Sequence, residues 1–406
     1  MTYTPSDEQL ERYGDLLVNF ALGGGDGIKR GDVVRITAEE CAKPLYAAAC
    51  RAVWRAGGHV LGDFVPDSAG PVNVLRDFYE IAGDDQLDFF AEHYWRGIID
   101  QCDHVLRILA DNEPHALATV DPAKILRARR ARRRAAEWQD EKESAGALTW
   151  TIGLYGTEGM AAEAGMDIEE YWREIIAACF LDDPDPAARW RQVNDAIQGH
   201  CARLNALPIE RLRVEGDDVD LRLTLGERRR WVGGAGRNVP SFEVFTSPDW
   251  RGTEGRIRFS EPLYVHGSLI KGAELEFREG TVVAVHAATG AGLLKEIVAS
   301  QNADRIGEFS LTDARLSPIR RFMANTLYDE NTGGPFGNTH LAVGQSLHVA
   351  YDGDPSTVSR AEWERLGFNS SAIHTDIVST TDRQVTATLA DGSERVIYAG
   401  GRFTLD

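Results

Sequence analysis

The side chains best suited to chemistry lie in the second half of the chain. His374 and Asp376 are two apart in Ser371-Ala-Ile-His374-Thr-Asp376-Ile-Val378, a run that reads as a strand, so both project from one face. Ile373 and Ile377 face the other way. One imidazole and one carboxylate on a strand face form half of a divalent metal site, although alone the pair is equally an ion-paired or capping couple. His340, in Thr339-His340-Leu-Ala-Val-Gly344, shares its face with the small Ala342 and Gly344, which leaves room for a ligand or a metal. Taken alone, it reads more readily as a hydrogen-bonded structural histidine. Glu243 interrupts Ser241-Phe-Glu-Val-Phe-Thr246, otherwise a buried strand. A carboxylate there is costly unless an arginine or a metal pairs it. Glu308, after Gly307, and Glu330, after Asp329 in a loop rich in Gly and Asn, read alone as ordinary surface carboxylates.

Together these residues say more. Two histidines with three or four carboxylates are the inventory for two divalent cations. Hard oxygen donors with a few imidazoles suit zinc, cobalt, manganese or magnesium. Two such ions bridged by a carboxylate activate a water and polarise a carbonyl. No G-x-S-x-G, Walker A run, H-E-x-x-H or Cys beside a His competes.

The elements that must carry these residues differ between the halves. Gly31–Ile36 reads as a strand, Glu39–Ala56 as a helix ended by Gly57-Gly58, and His59–Phe64 as the next strand. That order implies a right-handed parallel crossover. Gly23–Gly27 matches no phosphate-binding fingerprint and reads as a flexible connection. From about Asp85 to Ala206 the pattern is mostly helical, with Asp167 and Glu170 as a capping box. After Leu207 short alternating strands dominate, among them Val219–Leu225, and Asp391-Gly392 is a hairpin turn. The expected fold is an α/β N-terminal domain with a helical insertion, residues 1–206. A β-rich α+β metal-binding domain, residues 207–406, follows it.

Composition narrows the partners. The formal charge of −19 argues against nucleic acid and anionic membrane, since both would repel most of the surface. The basic run Arg127–Arg134 falls in a helical pattern and reads as a solvated or ion-paired face. Five cysteines without a C-x-x-C pair favour a reducing, cytoplasmic home. The polar start of the chain does not read as a signal peptide, and no apolar run is long enough to span a membrane.

The ordered motifs resemble a known family. Asn238-Val-Pro240 with Glu243-Val-Phe-Thr-Ser-Pro248 comes first, followed by Gly307-Glu308 and Thr326-Leu-Tyr-Asp-Glu-Asn331. His340–Gly344, and Asn369-Ser-Ser371 with His374-Thr-Asp376, complete the order. Their succession is similar to that of the thermophilic metallo-aminopeptidases, the aminopeptidase T and aminopeptidase S type. The resemblance implies a two-domain homodimer that removes N-terminal residues from small peptides with two divalent metals. It assigns the metal ligands to Glu243, Glu308, His340, His374 and Asp376. Glu243 or Glu308 would also pass the proton, and Glu330 matches a further acidic position. Phe242 stands where the family has a glutamate, and Leu347 stands where it has a tyrosine thought to assist catalysis. His348 and Tyr351 are the nearest candidates to compensate. Some hydroxypyridine ring-cleaving dioxygenases also resemble this family. The alternative is therefore a single non-haem iron on His340, His374 and Asp376.

Overall fold

The computed structural model describes residues 3–67, 72–234, 236–265 and 267–405. The chain forms two compact units, residues 1–191 with 235–239, and residues 192–234 with 240–406.

The first unit is built on a four-stranded parallel sheet. Its strands are His59–Val65, Val33–Glu39, His104–Leu109 and Thr149–Leu154, in that spatial order. The expected crossover is present: the helix Lys43–Ala56 links the first two strands in sequence and ends at Gly57 with φ 82. Two of the strands lie inside the stretch whose pattern reads as mostly helical. They are six residues long and flanked by helices, too short to break the helical pattern around them. Gly23 and Gly24 both take positive φ in a tight 3₁₀ turn. Asp167 caps the helix Ile168–Ala178 by accepting from the Glu170 amide. The basic run lies on the helix Pro122–Ser144, where Arg127 pairs with Asp84 and Asp88, and Arg134 with Glu92. A small separate core of Tyr79, Ala82, Leu87, Val120 and Ala128 supports that helical insertion. Among the described residues, no helix is long and apolar enough to cross a membrane.

The second unit holds two large antiparallel sheets. The eight-stranded sheet includes the Val219–Thr224 strand and the hairpin of Gln384–Leu389 with Glu394–Ala399 that turns at Asp391-Gly392. The five-stranded sheet runs His374–Ser379, Asn338–Gly344, Ile306–Thr312, Glu243–Thr246, Val232–Gly233. The strands Ile306–Thr312 and Asn338–Gly344 are buried at every position on both faces, and in the first Glu308, Ser310 and Thr312 alternate with Phe309 and Leu311. Arg383 supports them from behind. Its fully buried guanidinium donates to the Thr339 hydroxyl at 2.8 Å, to the Arg258 carbonyl, and to Asp218.

Candidate metal centre

Register alone brings the five expected ligands to one face of the five-stranded sheet. Glu308 lies opposite Ala342, and Ala342 opposite Asp376. His340 lies between Ser310 and Val378, Gly344 opposite His374, and Glu243 opposite Thr312. Cross-strand partners share a face, so these side chains converge over the small Ala342 and Gly344. A bulge before Glu308 aims it: the register slips between Ile306 and Glu308, with Gly307 in the slip. A Cβ on Gly307 would stand 2.3 Å from the Gln345 carbonyl oxygen, so only glycine allows this approach.

The donor atoms are closely spaced. His340 Nε2 is 3.3 Å from Glu243 Oε2 and 3.4 Å from Glu308 Oε1. His374 Nε2 is 3.3 Å from both Glu308 Oε2 and Asp376 Oδ1. They form two three-ligand groups, Glu243-Glu308-His340 and Glu308-His374-Asp376, with Glu308 common to both. Ligand atoms bound at about 2.0–2.1 Å around a tetrahedral cation lie roughly 3.3–3.4 Å apart, so the spacing fits. The charge fits as well. Among the described residues no lysine or arginine pairs with Glu243, Glu308 or Asp376, and the last keeps a buried Oδ1 without a hydrogen-bond partner. So many buried carboxylates are costly unless cations or protons neutralise them.

Glu308 and Glu330, which read alone as surface carboxylates, are 3% and 8% exposed. Both belong to segments whose burial comes from neighbours distant in sequence. Burial pushes the Glu330 carboxyl well up, and the charges of Glu243 and Asp376 add to it. Burial likewise raises Glu243, against its bond to His340. Burial alone would lower both histidines. Glu243 and Glu308 around His340, and Asp376 and Glu308 around His374, raise them well above the usual value instead. Asp376 is held low: burial works against this, and His374 outweighs it.

Three positioning groups carry no signal as ligands in the sequence. The Ser310 hydroxyl donates to Glu243 Oε2 at 3.2 Å. The Gln345 carbonyl accepts from His374 Nδ1 at 2.8 Å, which fixes the tautomer and leaves Nε2 to face the centre. Asn331 accepts from the Phe242 amide and donates to the Leu327 carbonyl at 3.1 Å, tying the Glu330 turn to the Glu243 strand. Asn331 was visible only as the last letter of the D-E-N motif. A backbone carbonyl such as that of Gln345 has no letter at all.

Phe242 is fully buried. The Leu347 amide donates to Ser247 Oγ at 2.9 Å, and its side chain offers no hydroxyl. The rings of both expected substitutes pack against an indole. The His348 ring stacks on Trp363 at 4.0 Å, and Tyr351 packs edge-on to the same indole at 5.1 Å.

Comparison with known proteins bears on this arrangement. Aminopeptidase T of Thermus aquaticus is 31% identical over 317 residues, covering 73% of this chain and 76% of the relative. The structure titled wild-type AmpT from Thermus thermophilus superposes with a TM-score of 0.84 at 25% identity, covering 98% of this chain and 99% of that one. A 2,5-dihydroxypyridine dioxygenase from Pseudomonas putida KT2440 shares the fold, with a TM-score of 0.54 at 14% identity and 99% of each chain covered. The family model described as thermophilic metalloprotease (M29) matches residues 6–403, nearly the whole length, and the chain belongs to that family.

Proposed function

We propose that the protein is a metal-dependent aminopeptidase that removes the first residue of small peptides. The observation that carries this reading is the sharing of Glu308 between two three-ligand groups on one sheet face. Metals bound there supply a Lewis acid for the scissile carbonyl and an activated water. The chain's own residues prepare the place. Glu308 turns one oxygen to each group. Ser310 and the Gln345 carbonyl hold Glu243 and His374 in orientation. Glu243 or Glu308 takes the proton released on attack.

The single-iron reading fits the geometry less well. His340 and His374 fall in different ligand groups, whereas a facial triad needs both on one ion. An iron oxygenase also has no use for Glu243 and Glu308 as ligands.

Zinc, cobalt, manganese or magnesium as the ions, a homodimeric assembly and a cytoplasmic location belong to the same proposal. All five cysteines are unpaired, which suits a reducing compartment. The test is direct. Protein reloaded with zinc or cobalt should hold two ions per chain and hydrolyse alanyl- or leucyl-p-nitroanilide. A single oxidisable iron, with no anilide cleaved, would overturn the proposal.

A further inference from the structure

We propose that Gln345 and Asn369 are positioning residues for one of the two ligand groups: together they clasp the loop that carries His374 and so aim its ring at Glu308 and Asp376. This rests on the reading of two metal-binding groups and names what holds the second. The two histidines are placed by different means. The His340 side chain is 1% exposed, in a strand buried at every position, so packing fixes its direction. The His374 side chain is 27% exposed and begins its strand, just after the exposed Ser370 and Ala372. Packing alone does not fix that ring, and its direction rests on hydrogen bonds.

Those bonds converge on Gln345. Its backbone amide donates to the Ile373 carbonyl at 2.6 Å, and its carbonyl accepts from His374 Nδ1 at 2.8 Å. Its side chain is held at both ends: Oε1 accepts from the Ser371 amide at 2.9 Å, and Nε2 donates to the Ser346 carbonyl at 2.8 Å. Asn369 closes the clasp from the start of the loop. Its buried side-chain amide donates to the carbonyls of Gly344 at 2.6 Å and Asn302 at 2.7 Å. Its backbone amide donates to Ser346 Oγ at 2.9 Å, and the Ser346 amide donates back to the Asn369 carbonyl at 2.9 Å. The loop is therefore tied down on both sides of Ser370 and Ala372. The Gln345 carbonyl has a second neighbour. Its oxygen is the atom that a Cβ on Gly307 would strike, so it lies against the bulge that aims Glu308. One peptide group thus touches both the His374 ring and the approach of the shared carboxylate. Rotation of that peptide would turn the ring away from Glu308, and the pinned Gln345 side chain resists the rotation. A clasp that only stabilised the fold would serve both ligand groups alike. One that aims His374 serves the Glu308-His374-Asp376 group alone.

The experiment titrates full-length, chelator-stripped protein with cobalt alone and follows each binding step. The wild type should take up two ions per chain. Gln345→Met keeps the backbone carbonyl and the length of the side chain but loses both side-chain bonds. One ion should then bind about 10–100-fold more weakly, as on loss of a supporting residue, while the other binds as in the wild type. Asn369→Ala opens the clasp from the other side and should weaken the same ion; it also covers the case in which the first variant does not fold. His374→Ala identifies that ion. In its background Gln345→Met should leave the remaining ion unaffected, because nothing is left to position. Equal weakening of both ions, unchanged binding of both, or a further loss in the His374→Ala background would overturn the clasp and leave the two-ion reading standing. A wild type that binds a single ion removes that reading and the clasp with it.

Discussion

His374 donates its Nδ1 proton to the Gln345 carbonyl, so its Nε2 lone pair is the one left for a cation. His340 also turns Nε2 to the carboxylates. Replacing either ring with a methyl group removes a donor and leaves its carboxylate neighbours uncompensated. His340→Ala and His374→Ala should each lower metal affinity by more than the roughly 10–100-fold typical of a supporting residue, with activity lost in parallel. Circular dichroism should remain that of the wild type. Near-normal activity at full metal occupancy in either variant would refute the ligand assignment. Leu347 raises a separate question. A hydroxyl that donates to the oxyanion is worth about 10²–10³ in turnover, and leucine supplies none. Leu347→Tyr should therefore raise anilide turnover without changing metal content; a decrease would mean that the apolar side chain itself serves the reaction. At this scale the grouping of the five expected ligands was legible from the order of the motifs, since each residue read alone suits a structural role as well. The burial of Glu308 was not, because it is imposed by strands far away in sequence.

The strands, more than the loops, place the ligands, and two glycines make their approach possible. Gly344 has φ 105, and a Cβ there would stand 2.0 Å from the Ile373 carbonyl oxygen. That clash would push the His374 strand away from the His340 strand just where the two rings face the centre. Gly344→Ala should destabilise the protein by more than ~1 kcal/mol, because alanine suits neither this positive φ nor the space. It should also weaken metal binding more than a surface substitution does. A thermal melt and a metal titration check both, and wild-type values in both would show that the strand spacing does not matter. Elements were legible in proportion to how local their signal is. The Lys43–Ala56 helix and the Asp391-Gly392 hairpin follow from periodicity and turn residues. The strands His104–Leu109 and Thr149–Leu154 pair in a parallel sheet whose neighbours are remote in sequence. Each is only six residues long and flanked by helices, so a reading of the whole segment passes over it.

For the molecule as a whole, the metal centre is a store of charge that folding must tolerate. The chain already carries a formal charge of −19, and it buries Glu243, Glu308, Glu330 and Asp376 beside only two histidines. Without metal the folded protein relieves this by holding protons. His340, His374, Glu243 and Glu330 are all shifted upward, and only Asp376 is shifted down. A group whose folded pKa is raised contributes stability that is complete below its unfolded pKa and is lost as pH rises through the folded value. For the histidines the loss therefore starts near their ordinary value of about 6.5, and for the glutamates near about 4.3. Asp376 acts in the opposite sense, and its contribution is lost as pH falls below about 3.9. The metal-free protein should accordingly lose stability as pH rises from about 6 to about 8. Metal binding needs the same groups deprotonated, so its affinity should rise over that range. A ligand at 100 times its Kd adds about 2.7 kcal/mol, and that linkage makes the difference in Tm between loaded and chelator-stripped protein widen with pH. Melts at several pH values, with and without chelator, measure it. A difference that is constant or shrinks from pH 6 to 8 would mean that these histidines and carboxylates do not hold the metal.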